Sequence, residues 1–258
     1  SGNYFRPLVI GSFVSQLSFF GQDPFSFHLV NLLLHSLNAC LVFLLGFWVV
    51  KNGDIPKRMI AAAFSALYFA LSPVVIESTV WVSGRFDLLF TFFSLCFLLV
   101  LQSQINRVKR CGLLFIFFFL AALCKEHAVV LGPIVFLYWI AKAVKSEAGY
   151  QDISKYVYDF GRADIVVAFL AGVSYLFVRW YSIGYLYVSE ELLQYSASGL
   201  DRTVLILRSL GAYVYKFCLP FADVSPVYPL YPSTLFDGDR VWVDLFFVLC
   251  LVCFSVLL

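Results

Sequence analysis

Charged side chains are scarce in this sequence. Of its 258 residues only 13% are charged, 62% are hydrophobic, and the mean hydropathy is +0.88. A soluble globular domain has about a quarter of its residues charged and roughly half apolar. A water-soluble fold of this length has no core large enough for so much apolar surface, so lipid must cover part of it. The composition therefore predicts an integral membrane protein.

Motifs for nucleic acids, nucleotides and metals are lacking as well. The net charge is only +2 and the basic residues form no patch, which excludes nucleic acid as a partner. The seven cysteines are an odd number and lie in or beside apolar runs, so we interpret them as buried apolar side chains. The single C-x-x-C pair, Cys250 and Cys253, lies inside a predicted helix. No Walker loop, dinucleotide-binding glycine motif or serine-hydrolase elbow is present, so no nucleotide cofactor is predicted.

Long apolar runs dominate what is present. A membrane-spanning helix needs about 20 mostly apolar residues. The runs predict an all-α polytopic bundle of about seven or eight transmembrane helices, with short interfacial helices such as Leu8–Phe20, in one domain over residues 1–258. Thr203–Phe221, which carries Arg208 and Lys216, either crosses the bilayer or lies in its interface. The eight candidates are His28–Val50, Met59–Ile76, Asp87–Leu101, Cys111–Cys124, Ala128–Ala141, Asp164–Tyr181, Thr203–Phe221 and Val241–Leu258.

The loops between these runs differ in basic charge, and this difference predicts the orientation. Cytoplasmic loops of membrane proteins carry the excess of Lys and Arg. One set of loops holds ten basic residues, and the other set holds Arg6, Arg85, Lys125 and Arg202. The ten-residue side is therefore predicted to be cytoplasmic; it carries Lys51, Lys57, Arg58, Arg107, Lys109, Arg110, Lys142, Lys145, Lys155 and Arg162.

Charged residues gather at the opposite, non-cytoplasmic helix ends. Cations and carboxylates at one level of the bilayer suit a ligand with a phosphate group and a long apolar tail, in which the cations hold the phosphate. The carboxylates would position sugar hydroxyls or a metal. The alternative is that these are ordinary helix-end charges that reach water at little cost. The residues are Arg6, Glu77, Arg85, Asp87, the Lys125-Glu126-His127 turn and Arg179.

The first long span carries a polar face. His28, Asn31, His35 and Asn38 are spaced by three, four and three residues, so they share one side of the helix. They either line a polar groove or form hydrogen bonds between helices, and we favour hydrogen bonding for the last three. His28, at the outer end, is a candidate for the site.

Several motifs, taken in order along the chain, resemble one known family. Most of the chain takes part, and the ordered set is more specific than any one motif. The resemblance is to the transmembrane and tetratricopeptide-repeat O-mannosyltransferases. The motifs are Tyr4-Phe5-Arg6-Pro7-Leu8, the segment Gly21–His35, the segment Ala61–Asp87 with its Ser83-Gly84-Arg85, the turn Cys124-Lys125-Glu126-His127, and Arg208–Pro220 followed by Ser225-Pro226-Val227-Tyr228.

The resemblance implies a GT-C glycosyltransferase fold and an inverting transfer of a sugar, mannose in this family, from a polyprenyl- or dolichyl-phosphate donor. The acceptor is a hydroxyl of a protein or glycan at the lumenal or periplasmic face, so the membrane is that of the endoplasmic reticulum in a eukaryote or the inner membrane in a bacterium. The resemblance also places the catalytic base in a loop before residue 1, and we expect the sequence to be a fragment of a longer protein that lacks this first helix and loop and a C-terminal part. One departure is Ser72-Pro73-Val74-Val75-Ile76-Glu77, where the family usually has two histidines.

The leading hypothesis is therefore a membrane glycosyltransferase without an assigned catalytic residue. Arg6, Arg85, Lys125 and Arg179 are predicted to bind the donor phosphate. Glu77, Asp87, His28 and His127 are predicted to contact the sugar or acceptor, or to order the arginines. No metal ligands are assigned, although a divalent metal is compatible with the carboxylates. The alternatives are a transporter or lipid flippase, which usually places polar groups near the bilayer midplane, and a non-catalytic scaffold of the same fold.

Overall fold

The computed structural model describes residues 5–50, 54–145, 153–184 and 199–219, and all regular elements within them are helical. The all-α fold class is thus confirmed for this part of the chain. Short 3₁₀ turns lie at Pro73–Val75, Val82–Gly84 and Glu126–Val130, and one π-helical turn at Val157–Gly161. The α-helices are α1 Pro7–Phe20, α2 Pro24–Val49, α3 Ile55–Leu71, α4 Ile76–Val80, α5 Arg85–Gln102, α6 Arg107–Cys124, α7 Leu131–Lys145, α8 Ile153–Tyr156, α9 Arg162–Ile183 and α10 Gly199–Cys218.

The chain divides into two compact units. The larger consists of residues 1–71 and 78–187, and the smaller of residues 72–77 and 188–258. The larger unit contains the helices from α1 to α3 and from α5 to α9. The smaller unit contains α10. The prediction of one domain over the whole chain stays a prediction.

Four of the described helical segments are long and apolar enough to cross a membrane. The number of candidate spans rises to five if α3 and the short helices that follow it are counted together as one bent span. These are the helices of a membrane protein, but the predicted number of seven or eight is not reached within the described residues. Val241–Leu258 lies outside them. The four segments are Pro24–Val49, Val82–Gln102, Glu126–Val144 and Arg162–Ile183.

Two predicted spans do not pass this test, for a common reason. Helix α6 has 18 residues but carries Arg107, Lys109 and Arg110 in its first turn, which leaves only the 14-residue stretch Cys111–Cys124 apolar. Such a stretch rises only about 21 Å, less than the roughly 30 Å hydrocarbon core. Helix α10 likewise carries charged residues along its length. Both segments are helices as predicted; that either crosses the bilayer stays a prediction.

Helix α6 lies at the centre of the larger unit. It packs against α5 on one side and α9 on another, and α1 also contacts it. Its inward side chains, among them Leu114 and Phe118, are almost fully buried, and Phe97 of α5 and Val135 of α7 meet them. This core positions the last residue of α6 beside the first turn of α5, because the two helices run antiparallel.

The polar face of α2 joins helices together. Asn38 donates from Nδ2 to the carbonyl oxygen of Leu88 in α5 at 3.0 Å, and His35 Nε2 lies 3.1 Å from the carbonyl oxygen of Ala70 in α3. Both side chains are buried. The prediction that these residues form hydrogen bonds between helices is confirmed.

A buried ion pair lies at the end of the larger unit where α6 and α9 begin. Asp164 of α9 has no exposed side-chain area, and its two carboxylate oxygens each lie 3.2 Å from a guanidinium nitrogen of Arg110 in α6. Trp139 of α7 donates from Nε1 to Oδ2 of the same carboxylate at 3.2 Å. Three helices are thereby fixed at this end, which we call the Asp164 end.

Candidate functional site

At the end of the larger unit opposite the Asp164 end, Asp87 forms an ion pair with Lys125. Asp87 lies in the first turn of α5, where the positive end of the helix dipole favours a carboxylate. Lys125 follows the last residue of α6 in an extended conformation, and its Nζ donates to Oδ1 of Asp87. The side chain of Lys125 is 20% exposed and that of Asp87 is 30% exposed, so the ion pair is only partly shielded from water.

The second contact joins Arg6 to Glu126. Arg6 directly precedes α1, and its Nη2 lies 3.6 Å from Oε1 of Glu126, the residue after Lys125. The other carboxylate oxygen of Glu126 is buried and has no hydrogen-bond partner. A carboxylate with one oxygen paired and one open can still accept a hydrogen bond from a ligand.

The ring of Phe86 connects the two ion pairs. The guanidinium carbon of Arg6 lies 4.2 Å from the ring centroid, and Nζ of Lys125 lies 5.0 Å from it. An aromatic face attracts cations at these distances. Because both distances are measured to the same ring centroid, the two cationic groups also lie close to each other. We call Arg6, Phe86, Asp87, Lys125 and Glu126 the Phe86 cluster.

Arg179 is linked to this cluster through Tyr175 and Phe5. It is the fourth residue after Tyr175 in α9 and donates from Nη1 to the hydroxyl oxygen of Tyr175 at 3.2 Å. The Tyr175 ring in turn packs against Phe5, the neighbour of Arg6, with ring centroids 6.3 Å apart. The Nε of Arg179 is buried without a hydrogen-bond partner. Among the described residues no carboxylate lies within ion-pair distance of Arg179.

Arg85 points away from the cluster into the helix packing. Its side chain is only 1% exposed. Its Nε donates to Oδ1 of Asn31 at 3.0 Å, its Nη2 donates to the carbonyl oxygen of Phe27 at 3.3 Å, and the ring of Phe13 covers it at 4.3 Å. The structure therefore places Arg85 between α5, α1 and α2, where it fixes the start of α5.

Both polar atoms of the Asn31 side-chain amide form hydrogen bonds at this position. While Oδ1 accepts from Arg85, Nδ2 donates to the carbonyl oxygens of Trp81 at 3.1 Å and Val82 at 3.3 Å. Val82 begins the short 3₁₀ turn that leads into α5, and Trp81 directly precedes it. The hydrogen-bonding role that we favoured for Asn31 is confirmed, and this role positions the residues that precede Phe86.

The remaining predicted site residues are not part of the Phe86 cluster. His28 and His127 are exposed, as is Glu77, which belongs to the smaller unit. Among the residues the structure describes, no group of three or more His, Cys, Asp or Glu side chains could hold a metal ion. The structure thus brings together Arg6, Asp87 and Lys125, and Arg179 is connected to them only through the side chains of Tyr175 and Phe5.

Three participants were not assigned from the sequence. Glu126 was noted only as part of a charged turn, and the signal for it was its position between Lys125 and His127. Phe86 lies between two assigned residues, Arg85 and Asp87. Tyr175 gave no sequence signal, because one tyrosine among apolar residues is ordinary in a membrane helix.

Comparisons with known proteins agree with the motifs. The chain is 37% identical over 129 residues to the protein O-mannosyl-transferase Tmtc1 of Drosophila melanogaster, which covers 48% of this chain and 14% of the relative. It is 33% identical over 103 residues to TMTC1 of Mus musculus, covering 40% and 10% respectively. A longer match, 27% identical over 212 residues, is to TMTC4 of Mus musculus and covers 70% of this chain and 28% of that protein.

These matches cover only a small part of each relative. The chain spans between 10% and 28% of the length of the three proteins. No family model matches the chain, and no solved structure does. All three relatives are named protein O-mannosyl-transferases. The resemblance of this chain to the transmembrane and tetratricopeptide-repeat O-mannosyltransferases is confirmed by these relatives.

Proposed function

We propose that the chain forms the donor-binding part of a membrane glycosyltransferase. This enzyme transfers a sugar, mannose, from a polyprenyl or dolichyl phosphate to an acceptor hydroxyl, on a protein, at the lumenal or periplasmic face. The observation that supports this proposal most directly is the Phe86 cluster, in which two cations from different segments meet over one aromatic ring. The similarity to named protein O-mannosyl-transferases supports the reaction class.

The charge balance at this end favours an anionic ligand. Among the side chains that the structure describes here, Arg6, Lys125 and Arg179 supply three positive charges, and Asp87 and Glu126 supply two negative charges. A lipid phosphate that carries a sugar has one negative charge, which would balance the excess. Because the ligand's tail is apolar, it can stay in the bilayer while only the phosphate reaches the cluster.

Arg179 is the cation best suited to hold the phosphate. Arginine presents several N–H donors in a planar fork that matches phosphate oxygens, and the buried Nε of Arg179 has no hydrogen-bond partner. Arg6 and Lys125 would act beside it. Their carboxylate partners, Glu126 and Asp87, would hold them in place when no donor is bound.

The chemistry follows from where negative charge develops. The bond between the sugar's anomeric carbon and the phosphate oxygen breaks, the acceptor oxygen forms the new bond to that carbon, and the lipid phosphate leaves with an additional negative charge. Cations fixed in advance near this oxygen stabilise the leaving phosphate. The hydroxyl proton passes to a general base, for which no residue of this chain is proposed.

Other predicted residues take different places in this proposal. Arg85 is proposed as a positioning residue, since it anchors the turn before Phe86 and is buried. His28 and His127, both in the larger unit, are exposed and remain candidates for contacts with the acceptor.

The test is transfer of labelled mannose from dolichyl phosphate mannose by the full-length protein that contains this chain, reconstituted in liposomes. We expect Arg179→Ala to lower the rate about 100-fold, comparable to loss of one donor that stabilises developing charge. Arg179→Lys keeps the charge and should retain more of the rate.

The matched control is Lys57→Ala. Lys57 is an exposed cation, with 78% of its side chain accessible. Its ion-pair partner Asp54, at 3.7 Å, is also exposed. The control should transfer mannose at the normal rate. Unchanged transfer by Arg179→Ala would refute the proposed donor site, and movement of the lipid across the liposome without a covalent product would support the transporter instead.

A further inference from the structure

A groove on the larger unit lies away from the Phe86 cluster. It is lined by residues from the middle of α7, from the first half of α9, and from α8 with the following π-helical turn. Its volume is about 560 Å³, within the range of about 300–1,000 Å³ that is typical of small-molecule sites. Residues that line it include Phe136, Ile140, Val157, Tyr158, Arg162 and Val166.

The lining is apolar except at one place. Arg162, the first residue of α9, donates from Nη1 to the hydroxyl oxygen of Tyr158 at 2.6 Å, and its guanidinium lies 5.0 Å from the Tyr158 ring centroid. Both side chains are exposed. Among the side chains that the structure describes, no carboxylate lies within ion-pair distance of Arg162, whereas Arg110 is paired with Asp164.

This groove belongs to the Asp164 end and not to the donor site. Arg162 and Arg179 lie on the same helix, 17 residues apart, which corresponds to about 25 Å along the axis. A headgroup bound at Arg162 therefore cannot also reach Arg179. Because α7 and α9 are both apolar enough to cross a membrane, a molecule can enter the groove sideways from the bilayer.

We propose that the groove binds a phospholipid with an anionic headgroup. One acyl chain lies along the apolar walls between α7 and α9, and the headgroup lies at Arg162 and Tyr158. Charge complementarity favours this occupant, since the exposed guanidinium of Arg162 lies at the polar entrance of the apolar groove. Lys142 adds positive charge at the same end, where it lies 4.9 Å from the Trp139 ring centroid. Basic sites between membrane helices are a recurrent way to hold anionic lipid headgroups.

This inference does not depend on the proposed transferase activity. The test is binding of phosphatidylserine and phosphatidylcholine, with identical acyl chains, to the purified full-length protein, measured by native mass spectrometry. We expect tighter binding of phosphatidylserine, and we expect Arg162→Gln to reduce this preference at least about fivefold, since one basic residue near a membrane surface contributes about 1 kcal/mol. Arg162→Lys should keep the preference.

A second pair of variants tests the groove itself. Val166→Trp fills the groove from a position that is 47% exposed, whereas Leu170→Trp places the same ring one helical turn away, at a position that does not line it. Val166→Trp should weaken binding of both phospholipids and Leu170→Trp should not. Equal binding of the two phospholipids by the unaltered protein, or equal effects of the two tryptophans, would overturn the proposal. Competition by dolichyl phosphate as effective as that by phosphatidylserine would also overturn it.

Discussion

Replacing Asn31 with alanine should destabilise the larger unit and distort the Phe86 cluster together. The substitution removes two amide hydrogen bonds to the carbonyls of Trp81 and Val82, and the one side-chain acceptor of the buried Arg85 guanidinium. Neutral hydrogen bonds between membrane helices contribute about 0.6 kcal/mol each. A bond to a charged group contributes about 1.5–3 kcal/mol. We therefore expect the free energy of unfolding to fall by about 3 kcal/mol.

The assay is equilibrium unfolding of the full-length protein in mixed micelles with increasing denaturing detergent. Two substitutions on the same helix calibrate it. Asn38→Ala removes one hydrogen bond between helices, to Leu88, and should lower the free energy of unfolding by about 0.6 kcal/mol. Ser36→Ala removes only an exposed hydroxyl that donates to Leu32 within α2, and should change it by less than about 0.5 kcal/mol.

The order of the three effects is the critical result. If Asn31→Ala is no more destabilising than Ser36→Ala, then Arg85 is not anchored by Asn31 and the account of the start of α5 is wrong. Mannose transfer should fall in Asn31→Ala as well, because the turn that Asn31 holds leads directly to Phe86 and Asp87. Asn38→Ala should leave transfer unchanged.

Two further substitutions test the packing that brings the site together, both by the same unfolding assay. Asp164→Asn leaves the Arg110 guanidinium without its buried counter-charge and should lower the free energy of unfolding by about 3 kcal/mol; an effect below about 1 kcal/mol would show that this ion pair does not fix the Asp164 end. Gly84→Ala places a Cβ 2.7 Å from the backbone Cα of Ser78 and should cost about 1–3 kcal/mol. Gly112→Ala, which meets nothing within 4 Å, should stabilise α6 by up to about 1 kcal/mol, and equal effects of the two alanines would contradict the close approach at Gly84.

Helix positions could be predicted well from apolar run length. The predicted span His28–Val50 corresponds to α2, and Asp164–Tyr181 corresponds to α9. The three-and-four spacing on α2 also identified which side chains would join helices, because a polar group inside lipid must find a partner. The predicted Cys111–Cys124 is part of α6, but the charges of its first turn were assigned to a loop and extend the helix instead.

The direction of the site side chains could not be predicted in the same way. Arg85 and Asp87 are two residues apart at the start of α5, yet one points into the packing and the other toward Lys125. Which of them points inward depends on how the 3₁₀ turn Val82–Gly84 sets the rotation of α5, and hydropathy does not encode this rotation. The pair of Arg6 with Glu126 depends on the packing of α1 against α6, which no local pattern shows.

Binding of dolichyl phosphate is the most direct test of Arg179 as the cation that holds the donor phosphate. The affinity of the full-length protein for this lipid should be measured with Arg179→Gln beside Lys57→Gln as the exposed control. Loss of a charge-assisted hydrogen bond predicts binding weaker by about 10- to 100-fold for Arg179→Gln and unchanged for Lys57→Gln. Equal affinity of Arg179→Gln and the unaltered protein would contradict an anion site beside the Phe86 cluster.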